Sequence, residues 1–527
     1  MSLTSANGLV ILFALSTSLM ASTLRVPAEY ATIQSALDGT ASGDTVLVDV
    51  GTYAESVIMP FRFVVLKGNV ETDTGMYQRP VIDPSTLGNP RTRRCMTTTG
   101  PFGSIVEDFV FRNGPEMFPR GPFDIGGIHH FDSAGVFKRC VWDSTYVGIR
   151  AEHALRLDEC TFVDNLWVCL DATGVALTAN NTSFHGRTGG WAVLEFGTGS
   201  NLRNCRVTTV GEGRNVLAEG DLITISNCDF GYFEPSGVPF VQIEGRANLI
   251  DSCLFHDCHV TTSILHVTSL CEYPTVVQNC TFYNNYLPFN WNSPSRWMMR
   301  AISGVDMPNC FGVEVLNNTF RDARREHGAR AMSIRGQVFV SGNRITQTVG
   351  DETPSILCLA TGAVLRDNLI YGNGQGVGTQ DPAWCDARFN WWGDSTGPYN
   401  SNSNPFGLGD TVGVNVDFFP WHTDTLFMAS VHEPRPPLPE RASLLAYPNP
   451  FNSVTTIQLT LPRSGIARIE LFDIMGRRVK ELWSGSVGET RDIQFNASEF
   501  ASGIYFVRAW DPLGNRLYAA TKVVLLK

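Results

Sequence analysis

The chain reads as an all-β protein: a parallel β-helix solenoid behind a short capping helix, followed by a small Ig-like β-sandwich. Three observations predict it. The first is a corner motif that recurs eleven times, as in LDECTF at Cys160, VQNCTF at Cys280 and VLNNTF at Asn318. The second is its spacing, mostly 20 to 27 residues with one longer step of 38 before Asn318. The third is a change of pattern near residue 443, where the repeat gives way to longer alternating runs such as TTIQLTLP and ARIELFDIMG.

The columns of the repeat are uniform. The key position is Cys140, Cys160, Thr182, Cys205, Cys228, Cys253, Cys280, Asn318, Asn343, Asn368 and Asn390. Three residues before it the chain is always apolar, and two residues after it again always apolar, as Trp142, Phe162, Phe255 and Phe320 show. A fixed period in this range marks a stack in which each unit buries its face only against its neighbours. Short β-rich runs broken by Asn, Gly and Ser predict two strands per repeat with a bend between them. Strands about 4.8 Å apart would stack like residues into columns.

Composition narrows the compartment. The net charge of −11 gives no support to a nucleic-acid partner. Residues 9 to 21, LVILFALSTSLMA, are too short to span a bilayer and end in small residues, so residues 1–22 are expected to be a signal peptide. No other long apolar segment exists, so no transmembrane segment is expected. Thirteen cysteines in an exported chain would ordinarily suggest disulfides. Six of them occupy the key column, where Asn replaces them later, so stacked free thiols are the expectation there. One disulfide among Cys258, Cys271 and Cys310 stays open.

Along the chain, Ile33, Ala36 and Leu37 share one helical face and Gly39 supplies a stop, predicting a helix that covers the open end of the stack. DTVLVDVGTY is expected to be the first strand. The solenoid is expected over 23–425, a Pro-rich linker over 426–443 and the sandwich over 444–527.

Two resemblances attach to these stretches. VPAEYATIQSAL, GDTVLVDVGTY, VVLKG, FNWWGDSTGP and VDFFPW together resemble secreted bacterial right-handed parallel β-helix proteins of the pectin-lyase-like superfamily, over roughly residues 24–425. YPNPFN, DIMGRRV, ASGIYFVRA and the terminal KVVLLK resemble the C-terminal sorting domain of type IX secretion cargo. The second resemblance implies passage through the outer membrane and contact with the type IX machinery through residues 444–527. The protein is thus expected to be secreted, or held at the outer-membrane surface of a bacterium.

Candidate chemistry lies in the strand that precedes each corner. Pairs four residues apart share a strand face: Tyr146 with Arg150, Trp167 with Asp171, Trp191 with Glu195, Asn215 with Glu219, Phe240 with Glu244, Thr262 with His266 and Ala331 with Arg335. Stacked, they predict an aromatic row of Tyr146, Trp167, Trp191 and Phe240, interrupted by Asn215, beside a charged row of Arg150, Asp171, Glu195, Glu219, Glu244, His266 and Arg335. Aromatic faces suit sugar rings, and carboxylates bond hydroxyls or act as acid and base. The bland alternative is a structural face packed under a loop. Neighbouring coils would set the carboxylates about 5 Å apart, the separation that retaining glycosidases use. Asp171, Glu195, Glu219 and Glu244 are therefore the catalytic candidates, if any. No cofactor is expected, a Ca²⁺ ion on Asp171, Glu195 and Glu219 being the one such group this row could hold.

The enzymes of the resembled superfamily provide no carry-over. The Asn-Thr-Asp, Asp-Asp, Gly-His-Gly and Arg-Ile-Lys set of polygalacturonase-like members is absent, and Lys67 and Lys138 are the solenoid's only lysines. His129 with His130, the His256–Cys258–His259 run and GNGQGVG all read as polar loops or turns rather than metal or nucleotide sites. The expectation is a monomeric protein that binds polysaccharide or a cell-surface glycan along this face. A polysaccharide lyase or glycosidase, and a structural or adhesive solenoid, remain the alternatives.

Overall fold

The computed structural model describes residues 21–527 except 74–75, 89–93, 99–102, 115–127, 131–134, 167, 187–192, 210–215, 234–238, 259–261, 270–272, 286–296, 305–310, 322–329, 349–353, 428–441, 462–464, 475–476, 488–489 and 512–515. The apolar N-terminal run and most of the Pro-rich stretch thus lie outside the described residues.

Most coils contribute three short strands rather than two. They stack in parallel into sheets of 16, 13 and 14 strands among the described residues. The first sheet begins at Thr23–Val26, which pairs with Thr45–Val48. The strand expected to open the fold is therefore its second. TLRV was missed because it precedes the first corner and carries no repeat marker.

The corner between the first and second sheets explains the motif. The residue before the key position is left-handed in every copy, with φ between 50° and 57° at Arg139, Glu159, Asn181, Asn204, Asn227, Ser252, Asn279, Asn317, Asp367 and Phe389, and 69° at Gly342. Asn, Asp and Gly tolerate that region best, which accounts for their frequency in the polar pair. The turn drives the key side chain inward and the next-but-one apolar residue into a ring stack. Phe255 lies 5.0 Å from Phe230 and 4.6 Å from Phe282, and Phe282 lies 4.6 Å from Phe320.

The key column is hydrogen-bonded along the stack. Asn318, Asn343, Asn368 and Asn390 each donate from Nδ2 to a carbonyl of the preceding coil, at 2.9, 2.8, 2.9 and 3.0 Å. The backbone N–H of Asn318, Asn343 and Asn368 donates to the amide oxygen of the next coil at 2.8, 2.9 and 2.9 Å. Thiols take the same place higher up: Cys160 Sγ stands 3.4 Å from the Phe137 carbonyl, as Cys205 Sγ does from that of Ala179. All eleven described cysteines are buried and free, Cys258 among them; Cys271 and Cys310 lie outside the described residues.

Helix Ile33–Asp38 buries Ile33, Ala36 and Leu37 against the first coil, with Thr32 as its N-cap and Gly39 closing it. Towards the C-terminus, Ser443–Tyr447, Val454–Thr460 and Thr490–Asn496 form one antiparallel sheet. Gly465–Phe472, Arg478–Val487, Gly503–Asp511 and Arg516–Leu525 form another. Ile457, Leu459, Ile469, Leu471, Val507 and Val523 close a core of their own.

Candidate functional site

The candidate residues sit on the third sheet. Its inward column, Ile149, Leu170, Leu194, Val216, Val241 and Leu265, is in register from coil to coil and buried. The residue after each member points outward because strand side chains alternate. That places Arg150, Asp171, Glu195, Leu217, Gln242, His266 and Arg300 in one outward column, each paired with the next.

The single charged row expected from the sequence is therefore two columns. Glu195 stands beside Leu217, not Glu219. Glu219 pairs with Glu244, and Glu244 with Thr268, in a parallel column two residues further on. His266 pairs with Gln242 instead of Glu244, and Arg335 with Ile302. Counting four residues from an aromatic set the wrong register, because the loops that enter this sheet differ in length. Arg300 was missed for that reason, although alternation from the buried column would have found it; Gln242 lies on the expected face, between Phe240 and Glu244, without belonging to either expected row.

The aromatic row needs a like correction. Phe240 is fully buried, 4.8 Å from Phe233 in a parallel stack and edge-on to Phe230. Packed between Phe233 and Phe230 just ahead of the strand Val241–Glu244, it belongs to the interior and cannot meet a ligand. Tyr146 is half-buried at the entrance to Val147–Ala151, and Trp167 and Trp191 lie outside the described residues.

Side chains on this face bond to one another within and between coils. The Thr173 hydroxyl lies 2.9 Å from Asp171 Oδ1 and 2.7 Å from Glu195 Oε2, bridging two coils. A hydroxyl has one proton, so it donates to only one of these carboxyls. The Gln242 amide donates to Glu244 Oε1 at 2.5 Å, and Thr268 Oγ1 lies 3.2 Å from His266 Nε2. Burial pushes the His266 imidazole down to about 4, helped by the neighbouring Arg300 guanidinium and opposed by Glu244. At neutral pH the ring is thus an uncharged donor and acceptor. Arg150, Asp171, Glu195 and Glu244 are half-buried and Glu219 is exposed.

A second polar cluster lies on the outer side of the second sheet. His256 bonds Asp229 through Nε2 and Asp257 through Nδ1, both at 2.7 Å, and stacks on Tyr283 at 5.1 Å. Asp229 also meets Arg206 at 2.9 Å, and Asp257 accepts from Asn284. These groups satisfy one another and knit neighbouring coils together.

Residues 128–297 match the right handed beta helix region family, and residues 445–515 match the secretion system C-terminal sorting domain family. The chain is a right-handed β-helix protein with a C-terminal sorting domain. Such a tail makes the β-helix protein a secreted or cell-surface one, and no helix among the described residues is long and apolar enough to cross a membrane. No curated protein matches it. Among solved structures it is similar to the enzymatically active domain of bacteriophage CBA120 tailspike protein 2, at 11% identity and a TM-score of 0.26, covering 96% of this chain and 76% of that one. It is also similar to the catalytic unit of a GH87 alpha-1,3-glucanase from Streptomyces thermodiastaticus strain HF3-3, at 11% identity and a TM-score of 0.23, covering 75% and 66%. Likenesses at these scores say nothing about the chemistry of the third sheet.

Proposed function

We infer that the β-helix protein binds polysaccharide along the outward face of its third sheet. The observation that carries this reading is the run of hydrogen-bonding side chains in register across the coils. Arg150, Asp171 and Glu195 lead to Gln242, His266 and Arg300, with Glu219 and Glu244 alongside. Successive coils offer a polar group about every 4.8 Å along one line. A linear polymer with repeating hydroxyls can follow such a line, each contact being weak and the sum being specific. Leu217, which is buried, interrupts the polar run at one coil.

One observation favours an enzymatic reading. Asp171 and Glu195 are neighbours in register and share the Thr173 hydroxyl. Two carboxyls about 5 Å apart are the arrangement retaining glycosidases use. Binding remains the conclusion, because the sequence contains no catalytic set of the resembled superfamily.

Electrophoresis of the purified protein through gels cast with neutral, uronic-acid and amine-bearing polysaccharides tests the reading. Retardation by at least one polymer, with no new reducing ends or unsaturated products, is the expected result. Unchanged mobility in every gel would sink it. Product release would move the assignment to the Asp171–Glu195 pair, and an Asp171→Asn variant that still binds should then lose turnover.

A further inference from the structure

The sorting domain has a groove of about 720 Å³ at one end of its four-stranded sheet. Ile474, Val479, Ile504 and Tyr505 contribute its apolar lining, and Arg477 and Arg478 stand at its rim. Three of the four apolar residues are open to solvent: Ile474 is 70% exposed, Val479 40% and Ile504 44%. A domain of about eighty residues that closes a full core elsewhere has no folding reason to gather exposed branched side chains around one opening.

The rim is built rather than loose. The Arg477 backbone N–H donates to Asp473 Oδ1 at 2.9 Å and its Nε to Oδ2 at 2.8 Å, closing the turn after Gly465–Phe472. Arg478 Nη1 donates to Glu470 at 2.7 Å. Each guanidinium has five donors and spends only part of them on these contacts. The Arg477 side chain stays 80% exposed and that of Arg478 55%. Both arginines are thus held in place beside the opening, Arg478 standing 3.9 Å from Glu481 as well.

Charge distribution points the same way. Residues 444–527 carry ten Lys and Arg against seven Asp and Glu, whereas residues 1–443 carry thirty against forty-four. The tail is a cationic module on an acidic chain. Its surface therefore suits an acidic partner, which the rest of the chain would repel.

We propose that this groove is the surface by which a protein of the secretion system grips the tail, inserting an apolar side chain flanked by carboxylates. The occupant is assigned to the secretion system because the match over residues 445–515 is to a domain whose role is to be sorted by it. The apolar lining receives the partner's anchor, as pockets do for buried anchors in protein interfaces, and the two arginines set its orientation through paired hydrogen bonds.

The test is made on the full chain in the bacterium that produces it, reading the protein retained in the periplasm against that exported. The variants are Ile504→Asp, Ile474→Asp and the double Arg477→Glu, Arg478→Glu, beside a chain lacking residues 444–527. Each groove variant should cut the exported fraction by about tenfold or more, while the purified protein keeps its cooperative melt. Ile474 lies in a turn, so its variant guards against a fold defect caused by Ile504→Asp. Normal export of all three variants, with export of the truncated chain stopped, would overturn the proposal while leaving the sorting role intact. Normal export of the truncated chain would remove the sorting role and the proposal with it. Loss of export only in variants that no longer fold would also count against the groove. Should the wild type be a dimer that Ile504→Asp dissociates without changing export, the groove would belong to self-association instead.

Discussion

His266 is the residue where burial and charge combine most clearly. Its imidazole is held near 4 by burial and by Arg300, with Glu244 pulling the other way. An unfolded chain takes up this proton near pH 6.5, whereas the folded chain declines it until about pH 4. The unfolded state therefore binds more protons between those values, and stability must fall as the pH drops through that window and level off below it. The full effect is on the order of 3 kcal/mol. Thermal melts at pH 7 and pH 4.5 should show a smaller acid-induced drop in Tm for His266→Gln than for the wild type. An identical drop in both would show that His266 does not couple folding to protonation. The residue was legible as a member of the face, but not its partners. Its pairing with Gln242 depends on a register that loop lengths conceal. Phe240 shows the same limit: identity and spacing marked it as exposed, and its stacking on Phe233 makes it core.

At the scale of the element, the key column changes chemistry from thiol to amide partway along the stack. The Asn343 amide links three coils, accepting from the Asn318 backbone N–H and donating to the Val315 carbonyl of one neighbour and to the Asn368 amide oxygen of the other. Asn343→Ala would leave the Asn318 backbone N–H and the Val315 carbonyl without these partners inside the core. A cost of about 2–4 kcal/mol is expected from the lost bonds and the cavity. Cys253→Ala removes only a small, weakly bonding group and should cost about 1–2 kcal/mol. Urea unfolding midpoints would reveal the order, and equal costs would show that the ladder bonds contribute little. The thiols have a chemical signature too. Burial pushes the Cys140 thiol up to about 12 and that of Cys160 well above its ordinary value, so neither offers thiolate to an alkylating reagent. Native protein should resist labelling at the six key-column cysteines and take it up on unfolding; rapid native labelling there would contradict the buried ladder. This column was legible because one corner of one geometry repeats, and its left-handed residue selects the same few residue types each time. The third strand was not separately legible, since no fixed turn precedes it and its length varies from coil to coil.

On the scale of the whole molecule, the solenoid and its tail divide the work. The stack provides a long surface whose side chains are set at regular intervals, and the tail directs that surface out of the cell. The solenoid is acidic and the tail cationic, so one net charge describes neither well. Two resemblances read from short motifs carried the architecture and the address, because both are written in residues that turns and caps require. The ligand is not written that way, since a face of hydrogen-bonding side chains is defined by register. The most direct test of the central claim is therefore a glycan array probed with the purified wild type beside an Asp171→Ala, Glu195→Ala, Gln242→Ala variant. The face predicts that the wild type binds a related set of linear glycans and that the variant, still folded by thermal melt, binds them at least about tenfold more weakly. Equal binding by the two proteins, or no binding by the wild type, would contradict it.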